Sequence, residues 1–191
     1  MKKIINILLI TVLLAGCSNQ QSYTINGIIR GIDDTGVYLQ KRSNSEFVTI
    51  DSTSMEEGMF TFSGEIVTPE AFYLKLEDHP RTLSFLAEAS VISVSAHIDS
   101  FHRAKVSGSS LQQVIDESLK SFALRQEELK QEYFKAQTEK DMERMAEIRE
   151  EFSTIKEEET AATLDLARKE SDSIVGPYLI SRYLYALSLE E

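Results

Sequence analysis

The chain has 191 residues, with 31 acids against 20 lysines and arginines and a net charge of −11. A surface this acidic repels phosphate backbones, which argues against nucleic acid as a partner. One cysteine and no tryptophan exclude an intrachain disulfide and any dithiol redox centre within the chain.

Lys2 and Lys3 precede an apolar run from Ile4 to Leu14, the layout of a secretory signal peptide. The run is about half of the ~20 residues that a spanning helix needs. The stretch Leu14-Ala15-Gly16-Cys17 resembles the bacterial lipobox. That resemblance implies a diacylglyceryl group on the Cys17 sulfur, cleavage before Cys17, and acylation of the new amine. Residues 1–16 are therefore a predicted lipoprotein signal peptide. Their removal takes away two lysines and no acid, leaving 175 residues with a charge of −13. Such a charge repels anionic headgroups too. Membrane attachment must then come from the acyl chains, at roughly 0.8 kcal/mol per buried methylene. Residues 17–22 continue as Ser18-Asn19-Gln20-Gln21-Ser22, polar and uncharged, and read as a tether. In lipoproteins of the Bacteroidota a short acidic run after the cysteine often marks export to the cell surface. Its absence here implies an outer-membrane lipoprotein facing the periplasm.

Residues 23–108 carry period-two patterning with turn residues between runs. Ile25 and Ile29 share a face with Gly27 between them. Val37 and Leu39 follow the turn-like Gly31-Ile32-Asp33-Asp34-Thr35-Gly36, and Val48 and Ile50 come next. After Glu56-Glu57-Gly58, Phe60 and Phe62 oppose Met59 and Thr61. Phe72, Leu74 and Leu76 alternate with Tyr73, Lys75 and Glu77. Leu83 and Phe85 make a short run, Ile92, Val94, Ala96 and Ile98 a longer one, and Lys105-Val106-Ser107 a last strand. Seven or eight short strands with frequent turns predict an antiparallel β-sandwich or open barrel.

The period changes after Gly108, so the fold class is α+β, with residues 109–191 helical. Ser109 or Ser110 can cap a helix whose seam is Leu111, Ile115, Leu119, Phe122, Leu129 and Tyr133. A bend at Ala136-Gln137-Thr138, with Thr138 as an N-cap, leads to a second helix with Met142, Met145, Ile148, Phe152 and Ile155. The short linker makes this a long antiparallel helical hairpin. Asp172-Ser173 can cap a short C-terminal helix that is apolar nearly all round. Covering it takes more than one neighbour, and the hairpin is expected to cover one side through Leu129, Met145 and Phe152. Covering the remaining face needs the β-domain, a second copy or a partner protein, and a surface for a protein partner or a homodimer is predicted at Leu179, Ile180, Tyr183, Leu184 and Leu187 with the adjoining hairpin.

The order of Gly27, Gly36-Val37-Tyr38-Leu39, Ile50-Asp51-Ser52, Gly58-Met59-Phe60-Thr61-Phe62-Ser63-Gly64, Pro69, Phe72-Tyr73-Leu74 and Val106-Ser107-Gly108-Ser109 is telling. It resembles the domain of unknown function at the start of many Bacteroidota lipoproteins. In many of those a thioredoxin-like domain with a Trp-Cys-x-x-Cys site follows. This chain has neither residue set and ends at Glu191, so that activity does not carry over.

The remaining chemistry is sparse. His79, His97 and His102 are expected to be surface residues, since a zinc site needs three or four converging ligands. Asp33-Asp34-Thr35-Gly36 lacks the spacing of a calcium loop, and no Gly-x-Ser-x-Gly elbow supports a nucleophile. Tyr38, Phe47 and Tyr73 share the polar face of their strands, which suits either a ligand groove or the cover of a second sheet, and the second is expected. No cofactor or metal is expected. The predicted function is a membrane-anchored, non-catalytic binding or interaction module. The alternative is an accessory or truncated form of a thiol-disulfide oxidoreductase lipoprotein.

Overall fold

The alternation between Ser22 and Ser107 becomes eight strands in two four-stranded sheets. The computed structural model describes residues 21–44 and 46–183. The strands are β1 (Ser22–Arg30), β2 (Gly36–Ser43), β3 (Glu46–Ser54), β4 (Met59–Glu65), β5 (Glu70–Leu76), β6 (Thr82–Ala87), β7 (Val91–His97) and β8 (Lys105–Ser107), with a 3-10 turn at Ile98–Arg103. One sheet runs β4-β1-β7-β8 and the other β3-β2-β5-β6, and neither closes into a barrel. Ile25, Leu39, Phe62, Phe72, Leu74, Phe85 and Ile92 fill the space between the sheets and are almost wholly buried. Their spacing of two along each strand is what puts them on one face. Phe72 meets both Tyr23 and Phe85 edge-to-face, at 5.1 and 6.2 Å between ring centres. Gly27 has no side chain because the Phe60 ring lies directly against it.

The expected antiparallel pairing holds for every pair but one. β1 and β7 run parallel, with Thr24 opposite Val91 and Arg30 opposite His97. The cause is parity. Each connection reverses the chain, so all odd-numbered strands point one way, and β1 and β7 are the only odd neighbours. The same rule sorts the two ends of the sandwich. Ser22, Glu65, Glu70, Ala87 and Val91 lie at one end, which is called the proximal end below. The connections 31–35, 55–58, 77–81 and 98–104 lie at the other, the distal end.

One expectation about the strands fails. Val48 and Ile50 are not core residues; β3 is the outermost strand of its sheet and is exposed along nearly its whole length. The opposite edge is protected. Gly108 turns the chain out of β8 with φ +94, hard against the Val91 carbonyl, where any side chain would collide. Ser109 then caps α1 (Ser110–Glu139), accepting from the Gln112 amide at 3.2 Å. Buried Gln112 in turn accepts from the Leu86 amide of edge strand β6 at 3.2 Å. That bond satisfies an edge N–H that would otherwise be stranded under the helix. Gln112→Leu is expected to cost about 1–3 kcal/mol in urea unfolding. The same change at exposed Gln113 should cost little.

α1 and α2 (Met142–Lys169) form the hairpin. The bend lies later than the sequence reading placed it. α1 continues through Ala136-Gln137-Thr138, where the Thr138 hydroxyl donates back to the Phe134 carbonyl at 2.9 Å. The chain turns at left-handed Lys140, and Asp141 caps α2 by accepting from the Arg144 amide at 2.9 Å. Met142, expected on the seam, is therefore exposed at the tip. α3 (Val175–Tyr183) follows, with the Ser173 hydroxyl accepting from the Val175 amide at 3.2 Å.

Candidate functional site

The candidate sites are the lipid-bearing N-terminus and the surfaces that the helices leave open. Cys17 lies outside the described residues. Its attachment point does not: the Gln21 carbonyl accepts from the Ile66 amide at 2.8 Å, and β1 starts at the next residue. The lipid is therefore tied to the proximal end of the sandwich.

The predicted partner surface on α3 divides. Leu179 is fully buried and belongs to an internal cluster with Leu86, Ile115, Leu166, Ala167 and Tyr178. It is core, not a free surface. The Tyr178 hydroxyl donates to the Ser84 hydroxyl of β6 at 3.2 Å, which pins α3 on the outer face of that sheet. Burial raises the Tyr178 pKa, so the phenol stays protonated. Ile180 is exposed and Tyr183 half-buried, while Leu184 and Leu187 lie outside the described residues. The residues expected to cover α3 do not touch this cluster. Leu129 and Met145 form a separate core with Ala136, Ile148 and Ile155, against which Phe152 packs.

That separate core defines the hairpin's reach. α1 begins at the proximal end, where Gln112 bonds Leu86 and Ser110 bonds Glu88. Farther along, Lys120, Ala123 and Gln126 line a groove shared with His102 and Arg103 of the distal end. The remaining 13 residues of α1 extend about 20 Å beyond the sandwich at ~1.5 Å per residue. Interhelical contacts fix this part in register. Arg125 pairs with Glu158 at 2.5 Å, Gln126 donates to Glu159 at 2.8 Å, and the Arg149 guanidinium donates to the Tyr133 hydroxyl at 3.1 Å. Arg144 reaches Glu132 across the hairpin at 2.6 Å and Glu147 and Glu151 along it, and these carboxylates raise its pKa. Glu128, Glu132, Glu147, Glu150 and Glu151 line a shallow groove of about 590 Å³ on one side. Phe134 and Met142 stand 55% and 67% exposed on this projecting part, and Leu124, just before it, is 56% exposed.

The groove between β6, β8, α1 and α3 holds about 640 Å³. It mixes signs: Lys105, Lys120 and Arg182 face Asp116, Glu117 and Glu159. Partial burial raises the Asp116 carboxyl, against the lowering effects of the Gln112 hydrogen bond at 2.8 Å and of Arg182. At its distal lip, burial and then Arg81, Arg103 and His79 lower the His102 pKa. Arg81 contacts His102 at 2.6 Å, and its amide donates to His79 at 3.2 Å. The Arg81 guanidinium against the His102 ring repels a cation. His97 is separate, against Asp99 at 3.3 Å. Among the described residues no group of three His, Cys, Asp or Glu side chains is placed to hold a metal ion.

Tyr38, Phe47 and Tyr73 do not cover a second sheet. The second sheet packs on Val37, Leu39 and Leu74, the opposite side of the same strands. Phe47 instead meets Tyr73 edge-to-face at 4.9 Å on the outer surface. What sequence reasoning missed is the projection of the hairpin. Its signal was present in the length of the run without glycine or proline: the 30 residues of α1 span about 45 Å, against about 30 Å for a nine-residue strand.

Residues 23–115 match the family model described as "Domain of unknown function (DUF4369)". Residues 1–18 match the model of the prokaryotic membrane lipoprotein lipid attachment site. No curated protein matches the chain.

Proposed function

Because the chain is a lipid-anchored lipoprotein of the cell envelope that carries this domain of unknown function, we propose that it works as a non-catalytic interaction module. The hairpin is its reaching arm, and its partner is a protein. One observation carries this reading. The outer half of the hairpin has its own small core and adds nothing to the sandwich, yet it presents Phe134 and Met142 to solvent. Exposed apolar side chains on a projecting element mark interaction sites more often than single scattered ones do. The single cysteine supports a role without dithiol chemistry. Location on the outer membrane facing the periplasm belongs to the same reading, supported by the uncharged segment 18–22.

The test is a shortened hairpin in which residues 127–155 are replaced by a brief turn. The cluster around α3 lies outside the deleted part, so the rest should still fold. Purification from native membranes should recover a protein with the full chain that is absent from the shortened chain and from Phe134→Glu. Identical recoveries from all three would end the proposal. Recovery of a second copy would make the partner a homodimer. Recovery of a thioredoxin-like protein would make the chain an accessory of a thiol-disulfide enzyme.

A further inference from the structure

We propose that the proximal end of the sandwich is itself a membrane-contacting surface, seated on the leaflet that holds the Cys17 acyl chains. Three observations converge on that end. The first is reach. Cys17 stands five residues before Ser22, and five residues span at most about 17 Å when fully extended. The Ser22 end is held close to the bilayer by the covalent link alone.

The second is what that end displays. Val67, on the connection from β4 to β5, is 89% exposed, with buried Ile66 just before it. Val91, at the start of β7, is 63% exposed. Phe47 is 54% exposed and opposes Arg42 at the proximal end of the β2–β3 pair, and exposed Val48 opposes Lys41. These side chains come from three separate stretches of the chain, the β4–β5 connection and the starts of β3 and β7, at one end of the fold. Interfacial contact of this kind scales with buried apolar area.

The third is charge. Glu46, Glu65 and Glu88 belong to the same end, and Lys41 is taken up by Glu70 at 2.6 Å. Acids and bases are interspersed, so no field draws this end to anionic lipid. The seating is therefore apolar, and it depends little on headgroup charge or salt. The geometry also decides what does not touch lipid. Ile28 and Met59 are exposed to a similar degree but lie opposite each other at the distal end. They should stay in water.

The experiment uses the full lipidated chain in phosphatidylcholine vesicles. A polarity-sensitive fluorophore is attached through Val67→Cys or, separately, Met59→Cys. The Cys17 sulfur is already alkylated, so the new thiol takes the label. The expected result is blue-shifted emission at position 67, quenched severalfold by a lipid-borne quencher, with water-like emission at 59. Adding anionic lipid or half-molar salt should leave the quenching within about twofold. Equal, water-like emission at both positions would overturn the proposal, as would loss of the position-67 signal in high salt. Should Val67→Cys fail to fold, Val91→Cys asks the same question with the same two outcomes.

Discussion

Phe62→Ala is expected to destabilise the sandwich by about 3–5 kcal/mol, while Thr61→Ala next to it should cost under about 1 kcal/mol. Phe62 is 2% exposed, sits opposite Ile25 in the β1–β4 ladder, and meets Phe60 edge-to-face at 5.8 Å. Close-packed neighbours on both sheets cannot collapse into the space a missing ring would leave. Thr61 points the other way. Its loss removes one exposed hydrogen bond, from its hydroxyl to the Asn26 side-chain oxygen at 3.1 Å. Urea unfolding of a soluble chain beginning at Ser18 measures both. A whole domain is stable by only about 5–15 kcal/mol, so the first change should leave a large unfolded fraction. Small and equal effects would mean that the register of β4 is wrong.

Cys17→Ser is expected to abolish lipid attachment and leave the protein as an uncleaved precursor or a soluble form. Among the described residues no helix is long and apolar enough to cross a membrane. The proximal contact proposed above rests on a handful of exposed side chains and cannot replace acyl chains. Even a single myristoyl chain holds a protein only reversibly. Detergent partitioning and metabolic labelling with a fatty-acid analogue check this directly. Label should enter the wild-type chain and not the variant. An unlabelled wild type would remove the anchor from the account.

Much of the fold could be read from the residues because the information is local. Period-two runs such as Phe72-Tyr73-Leu74 carry their own facing, and the structure keeps it. The failures are non-local. β3 looks like its neighbours in composition, but its position at the sheet edge depends on which strands pair, and nothing in Phe47-Val48-Thr49-Ile50 states that. The parallel β1–β7 pair has the same origin. Thr138 was a reasonable cap by residue type; its hydroxyl instead bonds the preceding turn, and Asp141 takes the role. α3 was rightly read as needing several covers. The hairpin residues that cover it are not the expected ones, because the seam of Leu129 and Met145 looks the same in sequence as that of Ile115 and Leu166. Of the predicted surface residues, Leu179 was legible as apolar but not as core, since its burial comes from Leu86 on a strand far away in the chain.

Anchored reach joins the lipid, the sandwich and the hairpin, and it has a direct physical readout. Energy transfer to acceptors in the lipid phase can be measured from a dye placed at Lys140→Cys, on the hairpin turn, and at Asp34→Cys, on a distal connection. Both lie on the side of the fold away from the attachment point, and the hairpin turn is about 20 Å farther. The account predicts clearly weaker transfer from 140 than from 34. Transfer from 140 that equals or exceeds that from 34 would mean the hairpin lies along the membrane, and would contradict it.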